Sequence, residues 1–117
     1  MTLYTSYFTK SANNPKAVSI SVSVPAWYTG RQNGLVTPGW PLFSDYKKGK
    51  ITQQQYVSAY RDKLDKIGER KILSQFTDGD VLLCWEKPDE FCHRHILAQW
   101  LREHGHTVSE LGGANNG

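Results

Sequence analysis

The feature that most constrains the fold is an unbroken apolar run over residues 81–85, which follows the turn signal Asp78-Gly79. A strand with one exposed face alternates apolar and polar side chains, whereas a strand covered on both faces is apolar throughout. Strands covered on both faces are typical of parallel sheets, because the crossover helices lie on the two faces. The run therefore predicts a buried strand of an α/β protein.

Strand patterns also occur on either side of this run. Residues 3–8 are rich in strand-forming side chains, and residues 17–24 alternate apolar side chains with serines until Pro25. The alternation predicts a strand with one buried face over the second segment. Residues 107–111 have the composition of a last short strand. We therefore expect a small, mixed or mostly parallel sheet of about four strands.

Two segments have the signals of helices. Thr52 and Gln55 have the spacing of a capping box, and the apolar periodicity that follows them stops at Gly68. A second helix follows the apolar strand, with Asp89 as its predicted N-cap and Gly105 beyond its last turn. Strands and helices that alternate in this order predict a right-handed α/β sandwich of three layers.

The chain is long enough for one domain with one ordinary core. It has 117 residues, of which 38% are hydrophobic and 21% charged, and this composition excludes wholesale disorder. We expect a single domain over residues 1–111 and a flexible tail over residues 112–117. Residues 26–50 are rich in glycine, proline and aromatic side chains, and we expect a long loop there that covers the site.

Charge, hydropathy and cysteine content indicate the setting of the protein. The formal net charge of +3 is too small to establish a nucleic-acid partner, but it favours anionic ligands. No apolar run approaches the roughly 20 residues that a bilayer requires, and the first residues do not resemble a signal peptide. We expect a cytoplasmic protein with no membrane partner, in which Cys84 and Cys92 stay reduced and form no disulfide. The sequence does not specify the oligomeric state.

The segment with the clearest chemical potential joins the apolar strand to the second helix. Cys92, His93 and Arg94 lie near the predicted start of that helix, and Glu86 follows the strand. Open α/β sheets bind ligands at the carboxyl ends of their strands, and a helix N-terminus there attracts anions. A helix N-terminus and neighbouring cations also lower the pKa of a thiol, so we expect Cys92 to be a low-pKa thiol.

Three functional hypotheses remain open for this segment. In the first, Cys92 is a catalytic nucleophile and His93 or Glu86 moves the proton. In the second, Arg94 binds a phosphate or carboxylate through its two-pronged guanidinium. The third assigns a metal to four side chains, although their spacing matches no standard zinc pattern: Cys84, Cys92, His93 and His95. The chain contains no phosphate loop or dinucleotide fingerprint, and we expect neither a cofactor nor a metal.

Structural roles compete with each of these hypotheses. Cys84 lies inside an apolar strand and is expected to be a core residue, and Cys92 could be a small residue packed at a helix start. Arg94 could form an ion pair with Glu86 or Glu90 instead of binding a ligand. These alternatives can be distinguished, because replacing a purely structural Arg94 by alanine lowers stability and leaves ligand affinity unchanged.

The long loop contributes a second group of candidate binding residues. Trp27, Tyr28 and Arg31 join two aromatic side chains to a cation shortly after a strand end. Such a group is typical of a wall that stacks on bases or binds a phosphate. The alternative is aromatic packing over one edge of the sheet.

Residues 82–88, the Cys-His-Arg at residues 92–94 and the apolar helix positions after them resemble the signature of a known family, domain of unknown function 488 (DUF488). Members of this family have a strand that ends in Cys-x-Glu, a short loop, then Cys-His-Arg and a helix with Leu-Ala. The resemblance implies a small Rossmann-like α/β domain and implies no activity. The family usually has an Asp-x-Arg where residues 19–23 stand here, which makes Arg31 the candidate for that cation's role.

Together these features predict an enzyme or binding protein for a phosphate-bearing ligand, either a nucleotide or a modified nucleobase. Its site would lie at the carboxyl ends of the strands over residues 18–24 and 81–85. The sequence leaves open whether the protein is an enzyme. The alternative is a nucleic-acid-binding or protein-interaction module without catalysis. Such a module should tolerate Cys92→Ser, whereas a thiolate enzyme should not.

Overall fold

The computed structural model describes residues 1–87 and 89–111, which form five strands and five helices. The strands are β1 (Thr2–Tyr7), β2 (Ala17–Ser19), β3 (Arg31–Gln32), β4 (Val81–Cys84) and β5 (Thr107–Glu110). The helices are α1 (Phe8–Ser11), α2 (Trp40–Lys47), α3 (Gln53–Ile67), α4 (Glu69–Leu73) and α5 (His93–Glu103). The predicted tail over residues 112–117 lies outside the described residues. No helix of the described ranges has the length and hydropathy needed to cross a bilayer.

The five strands form one parallel sheet in the order β3-β2-β4-β1-β5. The central strand is β4, which pairs with β1 on one side and with β2 on the other. All four side chains of β4 are buried, as the apolar run predicts, but Trp85, the last residue of that run, lies beyond the strand and is half exposed. The prediction of a Rossmann-like α/β sandwich with a mostly parallel sheet is confirmed, but the sheet has five strands and not about four.

Both faces of the sheet are covered, and successive residues of β4 point to opposite faces. On one face Leu82 belongs to a large core with α3 and α5, in which Trp100 is among the fully buried side chains. On the other face Val81 and Leu83 pack in a smaller cluster with Phe8. A strand between two cores has no exposed position, which explains why the sequence of β4 is apolar throughout.

The strand β2 is much shorter than the serine alternation over residues 17–24 predicts. It ends at Ser19, and its three residues are all buried, so the prediction of one buried face is wrong. Beyond it, the Ser21 N–H donates a hydrogen bond to Ser19 Oγ at 3.2 Å. Such local bonds compete with a strand ladder. The neighbour β3 also offers only two residues for pairing.

The helix α3 has the predicted boundaries and cap. The Gln55 N–H donates to Thr52 Oγ1 at 3.1 Å, and the Thr52 N–H donates to Gln55 Oε1 at 2.7 Å. Gly68 ends the helix with a φ of +90°, a conformation that favours glycine. The prediction of one long loop over residues 26–50 is wrong in part, because this segment contains β3 and α2.

The helix α5 begins three residues later than predicted, with Cys92 and not Asp89 as its N-cap. Lys87 and Glu90, which precede the helix, are joined by two hydrogen bonds: the Glu90 N–H donates to the Lys87 carbonyl at 3.0 Å, and the Lys87 N–H donates to Glu90 Oε1 at 2.9 Å. Cys92 is extended, with a φ of −158°. The later start places the Cys92 sulfur at the helix terminus itself.

Candidate functional site

Cys84 and Cys92 form a disulfide at the carboxyl end of β4. The prediction that the two cysteines stay reduced and apart is therefore wrong. Cys84 is the last residue of β4, and the chain after it returns to the same strand end before α5 begins. The prediction failed because it started the helix at Asp89, which would have carried Cys92 into the helix and away from the strand.

Arg94, in the first turn of α5, lies against both sulfur atoms and has no surface exposed to solvent. Its Nη1 is 3.2 Å from Cys84 Sγ and 3.8 Å from Cys92 Sγ, and it donates to the Glu86 carbonyl at 2.5 Å. A guanidinium keeps its proton in proteins, so a permanent positive charge faces the pair. A neighbouring arginine stabilises a thiolate, which is the product of reducing the disulfide.

Glu110, the last residue of β5, balances the charge of Arg94. Arg94 Nε and Nη2 donate to the two carboxylate oxygens at 3.1 and 2.9 Å, and Thr5 Oγ1 donates to Oε1 at 2.6 Å. Burial raises the pKa of the Glu110 carboxyl, but the hydrogen bonds from Arg94 and Thr5 outweigh it and hold the pKa below its ordinary value. The ionised carboxylate therefore keeps the guanidinium in one orientation.

Sequence reasoning missed Glu110 and considered Glu86 and Glu90 as ion-pair partners of Arg94. A usable signal was present, because the carboxyl ends of parallel strands meet at one edge of a sheet. Glu110 ends β5 just as Cys84 ends β4, and only β1 lies between those two strands. An acidic residue at such a position is a natural partner for a cation near the site.

His93 and Glu86 also border the sulfur pair. A ring nitrogen of His93 lies within 4.8 Å of both sulfurs, and His93 Nε2 is 2.6 Å from the Ile20 carbonyl oxygen. Burial lowers the pKa of His93 to about 4, so the ring is neutral at physiological pH and donates its Nε2 proton to Ile20. Its Nδ1 is then an acceptor. Glu86 Oε1 lies 3.5 Å from Cys84 Sγ, within reach of a thiol proton when the pair is reduced.

The two sulfurs and the His93 ring are also the group of possible metal ligands that the described part of the chain brings together. In the disulfide the sulfurs are bonded to each other and offer no thiolate to a metal. The guanidinium of Arg94 next to them opposes a second cation. The arrangement therefore favours sulfur chemistry over metal binding.

Two adjoining spaces lie beside the cysteine pair; we call the one that Cys92 lines the inner pocket and the other the outer cleft. The inner pocket has a volume of about 20 Å³ and is lined by Cys92 together with aromatic side chains of α2, α3 and residue Phe91. That volume holds about one water molecule. The outer cleft, of about 240 Å³, lies between residues 21–23, α2 and Trp85. Four residues line both spaces: Phe43, Lys47, Glu86 and His93.

The structure does not bring the loop candidates to this site. Arg31 Nη2 forms an ion pair with Asp80 Oδ1 at 2.9 Å. Asp80 immediately precedes β4, so this ion pair lies at the amino end of the strand, whereas Cys84 lies at its carboxyl end. Tyr28 packs against Phe8 in the smaller core and donates its hydroxyl to the Arg31 carbonyl at 2.7 Å. Trp27 is exposed. Within the described ranges, none of the three candidates lines the cleft.

Fold and site together define a small parallel α/β protein with a cysteine pair and a buried arginine at the carboxyl edge of its sheet. The family model DUF488-N3a, described as the active DUF488-N3 subclade, matches residues 8–105. The chain therefore belongs to the DUF488 family, and the resemblance of its Cys-His-Arg segment to that family is confirmed. No curated protein and no solved structure matches the chain.

Proposed function

We propose that this protein is a thiol–disulfide enzyme whose Cys84–Cys92 pair alternates between a disulfide and a dithiol. The observation that carries the proposal is that both sulfurs face the guanidinium of a fully buried arginine, Arg94. Burying a charge is costly even when it is paired, and a disulfide that only cross-links a fold needs no such charge. The description of the matching family as an active subclade also supports catalysis.

The positions of the two cysteines suggest different roles. Cys92 lines the inner pocket, so it is the sulfur that a substrate can reach, whereas Cys84 is completely buried. The Arg94 N–H lies 3.4 Å from Cys92 Sγ, so the first turn of α5 also stabilises a charged sulfur there. We therefore assign Cys92 as the sulfur that exchanges with the substrate and Cys84 as its partner. The low thiol pKa expected for Cys92 concerns the reduced protein and stays a prediction.

The reaction is a pair of exchange steps with a small thiol as the reductant. Its thiolate attacks Cys92 Sγ and forms a mixed disulfide, while the bond to Cys84 breaks and its electron pair stays on Cys84 Sγ. A second thiolate then attacks the substrate sulfur of the mixed disulfide, and Cys92 leaves as a thiolate. Two thiols are oxidised to one disulfide, and the protein disulfide is reduced. Glu86 and His93 exchange protons with the protein sulfurs.

The sequence-based hypothesis of a phosphate gripped by Arg94 has less support. Every side-chain nitrogen of Arg94 already has a partner, either Glu110, the Glu86 carbonyl or a sulfur. A nucleotide or other phosphate-bearing ligand would need a different cation. The non-catalytic alternative, a binding module, would give the disulfide a purely structural role. In the reducing cytoplasm in which we expect the chain, a disulfide is more often catalytic or redox-sensing than structural.

Thiol exchange in the folded protein tests the proposal. Oxidised protein is incubated with a small thiol at neutral pH, quenched with acid, alkylated and analysed by mass spectrometry. We expect two new thiols per chain with no change in the circular dichroism spectrum. With a small disulfide as the reagent, Cys84→Ser should accumulate a mixed disulfide at Cys92, and the matched Cys92→Ser variant should react far more slowly. A disulfide that opens only after unfolding would overturn the proposal.

A further inference from the structure

We propose that the outer cleft is the binding site for a small anionic thiol or disulfide, and that Lys47 pairs with the anion. This inference rests on the proposed function, because it names the substrate class of the same cysteine pair. It assigns a binding role to a lysine that lies on α2, far in sequence from Cys84 and Cys92.

The dimensions of the two spaces restrict the substrate to a small molecule. Pockets for drug-sized ligands measure roughly 300–1,000 Å³, whereas the outer cleft measures about 240 Å³. The inner pocket at Cys92, at about 20 Å³, admits about one water-sized group. A disulfide on the surface of a folded protein would therefore not reach Cys92. A substrate has to present its sulfur on a narrow, unbranched stem while its other end stays in the outer cleft.

The charges at the cleft favour an anionic end on this stem. Lys47 lines both spaces, and its Nζ lies 5.5 Å from the centre of the Phe43 ring. No carboxylate of residues 1–87 and 89–111 forms an ion pair with it, so its charge is available to a ligand. Glu86 also lines both spaces, but its carboxylate lies 3.5 Å from Cys84 Sγ, at the reacting end. The end of the cleft that would bind the charged group of the substrate therefore carries the positive charge of Lys47.

The walls of the cleft are suited to the apolar part of the same substrate. Phe43 and the half-exposed Trp85 both line it, and the Trp85 Nε1–H is fixed by a hydrogen bond to the Ser23 carbonyl at 2.9 Å. Aromatic walls bury methylene groups without a polar penalty. A short methylene chain with a carboxylate or phosphate at one end and sulfur at the other matches the size, the charge and the walls.

Three disulfides of similar length and different charge test the inference: dithiodipropionate, which is anionic, bis(hydroxyethyl) disulfide, which is neutral, and cystamine, which is cationic. The rate at which the reduced protein is oxidised by each is divided by the rate for free mercaptoethanol. This normalisation removes the intrinsic reactivity of each reagent. We expect the normalised rate to be highest for the anion and lowest for the cation, with a difference that shrinks as salt is added.

Lys47→Gln should lower the normalised rate for the anion about fivefold relative to the normalised rate for the neutral disulfide. Lys48→Gln is the matched control, because it removes the same charge from the next residue, which lies outside both spaces. Equal normalised rates for the three reagents, or an equal loss in the Lys48 variant, would overturn the subsite and leave the thiol–disulfide function standing. Failure of all three reagents to oxidise the folded protein would overturn the function as well.

Discussion

Arg94 contacts a carboxylate at one end of its guanidinium and two sulfur atoms at the other, so one side chain connects stability and chemistry. Its charge is completely buried, and Glu110 is the anion that offsets the cost. Thr5 holds that carboxylate from a neighbouring strand. The loss in the free energy of unfolding on replacing any member of this group therefore depends on which charge stays buried without a partner.

We expect Glu110→Gln to lower the free energy of unfolding by about 3–5 kcal/mol, because it leaves the Arg94 charge buried without its anion. Denaturant unfolding of the oxidised protein at neutral pH measures the change. Glu103→Gln is the control, since its ion pair with Arg61 lies at the surface and its loss should change stability little. Equal stability of the wild type and the Glu110 variant would show that the buried ion pair has no structural role.

The buried imidazole of His93 makes stability depend on pH. Its pKa is about 4 in the folded protein and about 6.5 in the unfolded chain, so between these values only the unfolded state binds the extra proton. Stability should be full above about pH 6.5, fall as the pH decreases, and stop falling below about pH 4. The loss from this residue is about 3 kcal/mol.

His93→Gln isolates this contribution, because every other titratable group is common to the two proteins. Denaturant unfolding of both at several pH values between 4 and 7.5 should show a shallower pH dependence in the variant. Parallel curves would mean that His93 has the same pKa in the folded protein as in the unfolded chain.

At the scale of single elements, the start of α5 combines two functions in one residue. Cys92 closes the disulfide, and its sulfur also accepts the Arg94 N–H at the helix N-cap. Cysteine is not among the preferred N-cap residues, whereas serine is. The disulfide, and not the cap, therefore explains why this position is a cysteine.

The cap can be separated from the disulfide by working in a Cys84→Ser background, in which no bridge forms. There we expect Cys92→Ala to be about 1 kcal/mol less stable than Cys92→Ser, because the hydroxyl still accepts the Arg94 N–H and a methyl group does not. Thermal or denaturant unfolding of the two double variants gives the difference. A more stable alanine variant would contradict the capping role of residue 92.

The two main helices show what could be predicted from sequence. The cap of α3 is formed by Thr52 and Gln55, which are three residues apart, so a local pattern was sufficient to predict it. The start of α5 depends instead on the hydrogen bonds between Lys87 and Glu90 and on the disulfide that joins Cys92 to β4. Asp89 is a good N-cap by residue type, but this tertiary arrangement outweighs that local preference.

At the scale of the whole molecule, the parallel sheet explains which parts of the site were accessible to sequence reasoning. Four candidate site residues were predicted from the sequence because they surround one strand end and one helix start: Cys92, Arg94, His93 and Glu86. Lys47 and Glu110 were not, because α2 and β5 reach the same edge only through the topology of the sheet. Arg31 was predicted to lie at the site because it follows a predicted strand in sequence, but it lies near the amino ends of the strands.

The strand order also determines when β1 can join the sheet during synthesis. The first strand, β1, pairs only with β4 and β5, and more than 70 residues separate its end from the start of β4. At roughly 5–20 residues per second, a ribosome needs several seconds to produce β4 after β1 has been made. During that interval β1 has no strand partner. The central position of β4 therefore makes it the segment that joins β1 to the earlier pair of β2 and β3.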